Sequence, residues 1–333
     1  MSSSKVHDFV NDTKRSFLSA SLISSIKIGI FERVQQNNLT INQLIDELHM
    51  TPNIARAVIN VLISNEYLTI KDGKCYIGPN TIPILDRLEI LRGWFDEMHL
   101  VMTALPVLDK LLLDPNYENP VKSFWTYKSN KSSEQSEQIA TYSRNMDTSQ
   151  PLHAATVLRT LDFSKYKTLI EFGGGYGCFS MHLAQKYPNL KITIIDLPEV
   201  VSTTVKRIAE AGLTDQINCI GIDFINQTVP GSYDVAIFNR VLHDWSDNEA
   251  NILLNKARTV VKEIKGDVII AENMDPAESI DPSSAATHLM LALLGGKRRQ
   301  TYEIERMLLD HGCSKVTISY TNESILHVAV GHH

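Results

Sequence analysis

Two stretches of this sequence place reactive residue types where they could share one crevice. In Phe238 to Asp247, F-N-R-V-L-H-D-W-S-D, His243 directly follows an apolar run, Y-D-V-A-I-F-N, and precedes Asp244 and Trp245. Glu272 closes the next apolar run, V-I-I-A-E. If the two runs are strands of one sheet, both side chains stand at carboxyl ends. An isolated histidine at such a place is more often structural. Here the strand end, a tryptophan able to cover a flat ring, and a nearby carboxylate all favour chemistry. A carboxylate beside an imidazole holds one tautomer and makes the ring more basic. The chemistry this suits is deprotonation: a neutral imidazole of pKa ~6.5 can take the proton of a phenol of pKa ~10 as the phenol attacks.

The second stretch is Leu169 to Gly177, L-I-E-F-G-G-G-Y-G, an apolar run that stops in glycines. Gly173, Gly175 and Gly177 let the backbone turn sharply and approach a ligand with no Cβ in the way. The following helix, from about Cys178, would present free N–H groups there, a favourable place for an anion. Asp196 closes the next apolar run, K-I-T-I-I-D, and would face the same crevice. A phosphate-binding P-loop needs Gly-Lys-Ser/Thr, which is absent, and the dinucleotide fingerprint needs glycine where Cys178 stands. G-x-G-x-G with a later acid fits S-adenosylmethionine (SAM), whose carboxylate is a milder anion than a pyrophosphate and whose ribose diol suits a carboxylate partner. A glycine turn with no ligand is the other reading of the loop alone.

The elements that must position these residues alternate. From Tyr166, strands are predicted at 167–172, 191–196, 217–222, 233–239, 267–272, 315–320 and 325–330. Helices are predicted near 178–187, 199–212, 247–262 and 301–311. Such alternation implies an α/β, Rossmann-like, doubly wound, mainly parallel sheet with ligands beyond the carboxyl ends of its strands. Before it, residues 8–35 read as a helix. Thr40 caps a helix at 41–48, Thr51 starts another at 52–65, and Y-L-T-I and C-Y-I-G flank an Asp72-Gly73 hairpin turn. Helix, turn, helix and a two-stranded wing make a winged-helix module. Basic and acidic residues nearly balance there, which disfavours DNA binding, so pairing of two chains through the apolar first helix is the preferred role. The expected organisation is a winged-helix-like dimerisation domain at 1–95, a helical segment at 96–160 and the sheet domain at 161–331. Residues 83–115 are amphipathic helices that could be core or pocket wall, and 114–135 a polar surface loop.

The 333 residues carry a formal net charge of -6, which supports neither a nucleic-acid nor an acidic-membrane partner. Four scattered cysteines without a C-x-x-C pair argue against a zinc site and a disulfide framework. No secretory h-region opens the chain and no run approaches the ~18 apolar residues of a membrane span. A reduced, cytoplasmic protein is expected. The final Gly331-His332-His333 reads as an appended tail.

Taken together, E-F-G-G-G-Y-G, I-I-D-L-P-E-V, G-I-D-F, R-V-L-H-D-W-S-D, I-I-A-E-N and G-G-K-R-R-Q-T resemble the SAM-dependent O-methyltransferases of the plant caffeate and hydroxyindole type and their bacterial relatives of secondary metabolism. The resemblance covers essentially the full length and implies a homodimer. It implies a SAM site of Glu171, Gly173, Gly175 and Gly177, with Asp196 and Leu197 at the ribose and Asp223 and Phe224 at adenine. Asn239 and Arg240 would line the methionine end, and Trp245 would cover the crevice. His243 would be the general base and Glu272 the carboxylate that orients it. The methyl acceptor, a small molecule with an aromatic or polyketide-like hydroxyl, would lie against Met102, Phe124, Trp125, Met146, His153, His288 and Met290. Three departures stand out. Glu171 replaces an Asp, Asn239 replaces the Lys of plant members, and Arg298 replaces a Glu that flanks the base. Arg298 is expected either to meet an acidic substrate group or, preferably, to be solvated. Methylation at N, C or carboxylate, a SAM-binding rearrangement or cyclisation enzyme, and a ligand-sensing regulator remain alternatives.

Overall fold

A computed structural model of the protein describes residues 3–114, 116–121, 133–262, 265–274, 282–321 and 326–333. The chain divides into two compact units, Met1–Leu100 and Val101–His333.

In the first unit, α1 (Ser3–Ile28) and α2 (Ile30–Gln36) are separated at Gly29, whose φ of +81° breaks the single helix expected there. Next come α3 (Ile41–Glu47) and α4 (Pro52–Ser64). Thr40 and Gln43 form a reciprocal capping box at the start of α3, satisfying two otherwise orphaned N–H groups. Strands β1 (Leu68–Lys71) and β2 (Lys74–Ile77) pair antiparallel. Asp72 and Gly73 both have positive φ, 50° and 73°, as the tight turn between twisted strands requires. Phe31, Leu44, Ile59, Leu62 and Leu68 meet in one buried cluster. The division between the units falls within α5 (Leu88–Met102).

The second unit holds α6 (Leu108–Leu113), the long α7 (Ser133–Thr160) and then the alternating elements: β3 (Thr168–Phe172), α8 (Cys178–Lys186), β4 (Lys191–Asp196), α9 (Pro198–Glu210), β5 (Ile217–Gly221), β6 (Val235–Asn239), α10 (Asp247–Lys262), β7 (Asp267–Asn273), α11 (Pro282–Leu293), α12 (Thr301–Asp310), β8 (Lys315–Ser319) and β9 (Leu326–His332). The strand order is β5-β4-β3-β6-β7-β9-β8. The first five are parallel, and β9 runs antiparallel to both neighbours. The sheet is buried on both faces. Phe172, Phe238, Leu253 and Ile270 belong to one core and Leu169, Phe179, Ile192 and Ile237 to the other, which explains why the strands read as continuous apolar runs.

The chain winds outward from β3 through β4 to β5, then restarts at β6 on the other side of β3. That reversal opens a crevice between the carboxyl ends of β3 and β6. Two local expectations are corrected. The segment 284–298, expected only as a source of pocket walls, begins inside a helix that runs to Leu293, and Gly331 and His332 are no tail: Gly331 pairs with Val268 and Val316, and His332 with Lys315, inside the sheet. Among the described residues no helix is long and apolar enough to cross a membrane.

Candidate active site

The crevice is walled by the turn after β3 (Gly173 to Tyr176), by Asp196 and Leu197, by Asp223 to Ile225, and by Asn239, Arg240, Val241, Asp244 and Trp245. One face of α7 closes it with Tyr142, Ser143, Met146, Asp147 and Gln150. Gly173 has φ +65°, and a Cβ there would stand 2.9 Å from Val241 Cγ2. Gly175 has φ +55° and open space where its Cβ would be, so the backbone itself faces the crevice. Gly177 caps α8 in the left-handed region. Behind the loop, Thr204 Oγ1 donates to Gly175 O at 2.7 Å.

Asp196 accepts the Gly175 N–H at 2.8 Å and the Leu197 N–H at 2.7 Å. Burial raises its carboxyl to about 6 against the pull of those N–H groups. Glu171 stands elsewhere. It is buried beneath the loop, accepts the Ser180 hydroxyl, and is pushed up to about 7 by burial; it does not line the crevice. Its chemistry there is support of the turn from behind. Asp223 receives the N–H groups of Ile225 and Asn226 at 3.1 and 3.3 Å, an Asx turn that presents Phe224. Phe224 and Trp245 pack edge-to-face, centroids 6.3 Å apart, as an apolar corner of the crevice.

At the end of β6, Asn239 donates to Gln150 Oε1 at 3.4 Å, and its buried Oδ1 has no partner among the described residues. Arg240 adopts φ +60° while its N–H still reaches Ala271 O at 2.9 Å, a conformation costing about 1–3 kcal/mol in a non-glycine residue. Its guanidinium reaches α7, donating to Ser149 Oγ at 2.8 Å and Met146 Sδ at 3.2 Å. An open glycine backbone, an acid, an aromatic corner and an unpartnered amide oxygen form a site that fits a nucleoside bearing an amino-acid tail.

His243 sits on a single short turn, Leu242–Asp244, between crevice residues Val241 and Asp244. It is 7% exposed, and its Nδ1 has no partner among the described residues. Burial, then the charges of Arg240, His153, Arg299 and Arg298, lower its pKa to about 3, so the ring is neutral and less basic than a free imidazole. The expected Glu272–imidazole pair is not present. Glu272 Oε1 instead accepts the backbone N–H groups of Val241 at 3.0 Å and His243 at 3.1 Å. The carboxylate nearest the ring is Asp244, with Oδ1 3.3 Å from Nε2.

Of the expected acceptor residues that the structure describes, only Met146 lines the crevice. His153 donates from Nδ1 to Ser149 O at 2.9 Å and is lowered to about 3, chiefly by burial and by Arg240. Met102 is half-buried, Met290 buried and His288 exposed; none of them lines the crevice. Phe124 and Trp125 lie outside the described residues. Arg298 is not solvated: it is 2% exposed, because the run it belongs to packs on the His243 turn. Sequence reasoning missed two groups. On the α7 wall it named Met146 but not Tyr142, Ser143, Asp147 and Gln150, which repeat with it at helical spacing, a signal that was there to use. Arg299, fully buried against the His243 turn, had no such signal.

Residues 118–314, more than half of the chain, match the family described as O-methyltransferase domain. A 3-hydroxy-5-methyl-1-naphthoate 3-O-methyltransferase of Streptomyces sahachiroi is 28% identical over 247 residues, 72% of this chain and 66% of that enzyme. An L-tyrosine C(3)-methyltransferase of Streptomyces lavendulae is 35% identical over 130 residues, 39% of this chain and 35% of that enzyme. Matches to two further bacterial O-methyltransferases span 54% and 62% of their lengths, so the chain spans about half to two thirds of such curated relatives. Human N-acetylserotonin methyltransferase, solved in complex with SAM, shares the fold at a TM-score of 0.75 and 18% identity, over 100% of this chain and 99% of that one. With its glycine turn, acid and buried histidine at the switch point of the sheet, this chain belongs to the O-methyltransferase domain family.

Proposed function

We propose that the protein transfers a methyl group from SAM to a hydroxyl of an aromatic or polyketide-like small molecule. The observation that carries this reading is the neutral, buried His243, its Nδ1 unpartnered, on the same turn as two walls of a crevice suited to a nucleoside and an amino-acid tail. When bound, SAM supplies a methyl group on a sulfonium, electrophilic enough that little remains beyond placing a nucleophile in line. Within the chain, Asp196 would hold the ribose diol, Phe224 and Trp245 would pack on the adenine plane, and Asn239 Oδ1 would receive an ammonium. His243 takes the hydroxyl proton as attack proceeds, and burial keeps it free of a competing proton from water. Met146, on α7, accepts from Arg240 at its sulfur and offers a thioether wall.

A second reading is methylation at carbon or carboxylate. It is favoured by the likeness to a tyrosine C-methylating enzyme and by the low basicity of His243, since a carboxylate needs no base. The test is incubation with methyl-labelled SAM and a panel of phenols, aromatic acids and amines, for the wild type and His243→Ala. Label in a phenol ether, lost in the variant, supports O-methylation. Label in a carboxyl ester at equal rates in both supports the second reading. No labelled product, despite binding of S-adenosylhomocysteine (SAH), sinks both.

The first unit, with its winged-helix segment at 1–95, is read as the dimerisation module, and 96–160 as the segment that shapes the acceptor side. Exposed Phe17, Ile28 and Ile54 on that unit support the first assignment. Analytical ultracentrifugation showing a monomer at micromolar concentration would remove it. A cytoplasmic location is the reading consistent with four free cysteines.

A further inference from the structure

We infer that Arg299, which does not touch the crevice, is the residue that positions the turn carrying His243; the inference rests on the methyl-transfer reading. The turn Leu242–Asp244 is too short to hold itself. Its internal bonds are Asp244 N–H to Val241 O and Trp245 N–H to Leu242 O, both 3.1 Å. The remaining backbone groups are buried and need outside partners. On the N–H side, Glu272 takes Val241 and His243. On the carbonyl side three bonds come from 297–299. Arg299 Nη1 donates to Leu242 O at 2.8 Å, Arg299 Nη2 to Trp245 O at 3.0 Å, and the Lys297 N–H to His243 O at 2.8 Å. This approach depends on Gly296, since a Cβ there would collide with His243 O.

The guanidinium is anchored in turn. Nε and Nη2 reach Asp247 Oδ1, the first residue of α10, at 3.1 and 2.9 Å. One planar fork thus bridges the carbonyl before His243, the carbonyl of Trp245 and the start of the following helix. A lysine ammonium, a single point donor on a flexible stem, cannot span those three acceptors. Arg299 is 1% exposed; besides its charge, one of the lesser causes that lower the His243 pKa, it reaches the imidazole through the backbone it holds, and Arg299→Lys keeps that charge while losing the fork.

The experiment uses the full chain as wild type, Arg299→Lys, Arg299→Ala and Asp247→Asn. Each carries carbon-13-labelled histidine, with the His243 signal assigned by its loss in His243→Gln. SAH binding is measured by calorimetry, and turnover with any acceptor found in the panel above. In folded Arg299→Lys, SAH should bind within about threefold of wild type while the His243 signal shifts or splits. The rate constant kcat should fall on the order of 10²-fold, the effect expected of an ångström-scale misplacement, with KM for the acceptor little changed. Asp247→Asn loosens only the anchor and should give the same changes, smaller; it carries the test if neither Arg299 variant folds. An unchanged His243 signal with unchanged kcat in the folded variants overturns the inference, as does a loss of kcat that merely tracks the unfolded fraction in thermal melts. If wild type fails to bind SAH, the methyl-transfer reading falls, and the His243 signal still decides whether Arg299 holds the turn.

Discussion

Replacing Glu272 separates two ways in which a carboxylate can serve the histidine proposed as base. Its Oε1 accepts two buried N–H groups, and the residue is 1% exposed. Glu272→Ala orphans both donors at about 1–3 kcal/mol each, so a loss of about 2–6 kcal/mol is expected. Glu272→Gln keeps an amide oxygen in the same place and removes only the charge. Burial lifts the Glu272 carboxyl to about 7, with Arg299 and the backbone N–H groups drawing it partway down. The folded value lies above the unfolded one of 4.5, so the native state keeps a proton that the unfolded chain has released. This contribution to stability is complete below pH 4.5 and is lost as pH rises through about 7. Its span is about 3 kcal/mol. Glu272→Gln mimics the protonated form at every pH, so its advantage over wild type should widen by about 2–3 kcal/mol between pH 5 and pH 8. Urea unfolding followed by circular dichroism at both pH values measures this, and methyl transfer is assayed on the same samples. At pH 8 the Gln variant should keep activity within about tenfold of wild type, and the Ala variant should lose on the order of 10²-fold. If folded Gln and Ala variants are equally inactive, the carboxylate acts on the imidazole or acceptor by its charge, and the backbone role assigned here is wrong.

Three further outcomes are expected. His243→Ala should lower transfer to a phenol about 10²–10⁴-fold while sparing any carboxylate acceptor, and equal losses on both would point to a structural role. The same residue sets an acid sensitivity: its folded pKa, about 3, lies below the ordinary 6.5, so the unfolded chain gains a proton first and stability falls as pH drops from 6.5 toward 3. His243→Gln should therefore gain about 2 kcal/mol on wild type between pH 6.5 and 5, and thermal melts showing the reverse refute the shift. Asp196→Asn should weaken SAH binding at least about fivefold by removing a charged acceptor placed for the ribose diol, which calorimetry reads directly; an unchanged Kd would take Asp196 out of the site.

What could be read in the sequence, and what could not, divides on one physical line. Buried parallel strands need long apolar runs, and the tight turns at their ends need glycine or a left-handed residue. The sheet, Gly173 to Gly177, Asp196 and the Asp72-Gly73 wing were therefore legible from residue type alone. That His243 and Glu272 stand at neighbouring strand ends was legible too, from the two apolar runs before them. Which atoms they use was not. A carboxylate at the end of β7 reaches either an imidazole or the backbone that carries it, and the two arrangements ask for the same residue at the same spacing. Lys297-Arg298-Arg299 shows the same limit more sharply. Arg298 reads preferably as solvated, yet the structure buries it together with Arg299 and gives Arg299 the carbonyls of Leu242 and Trp245. A one-residue change of orientation decides which arginine meets the turn, and no periodicity encodes it. The residue proposed as base is legible because chemistry limits such a role to few residue types. Its support is not, because any backbone carbonyl accepts from any buried donor, and only geometry selects the pair.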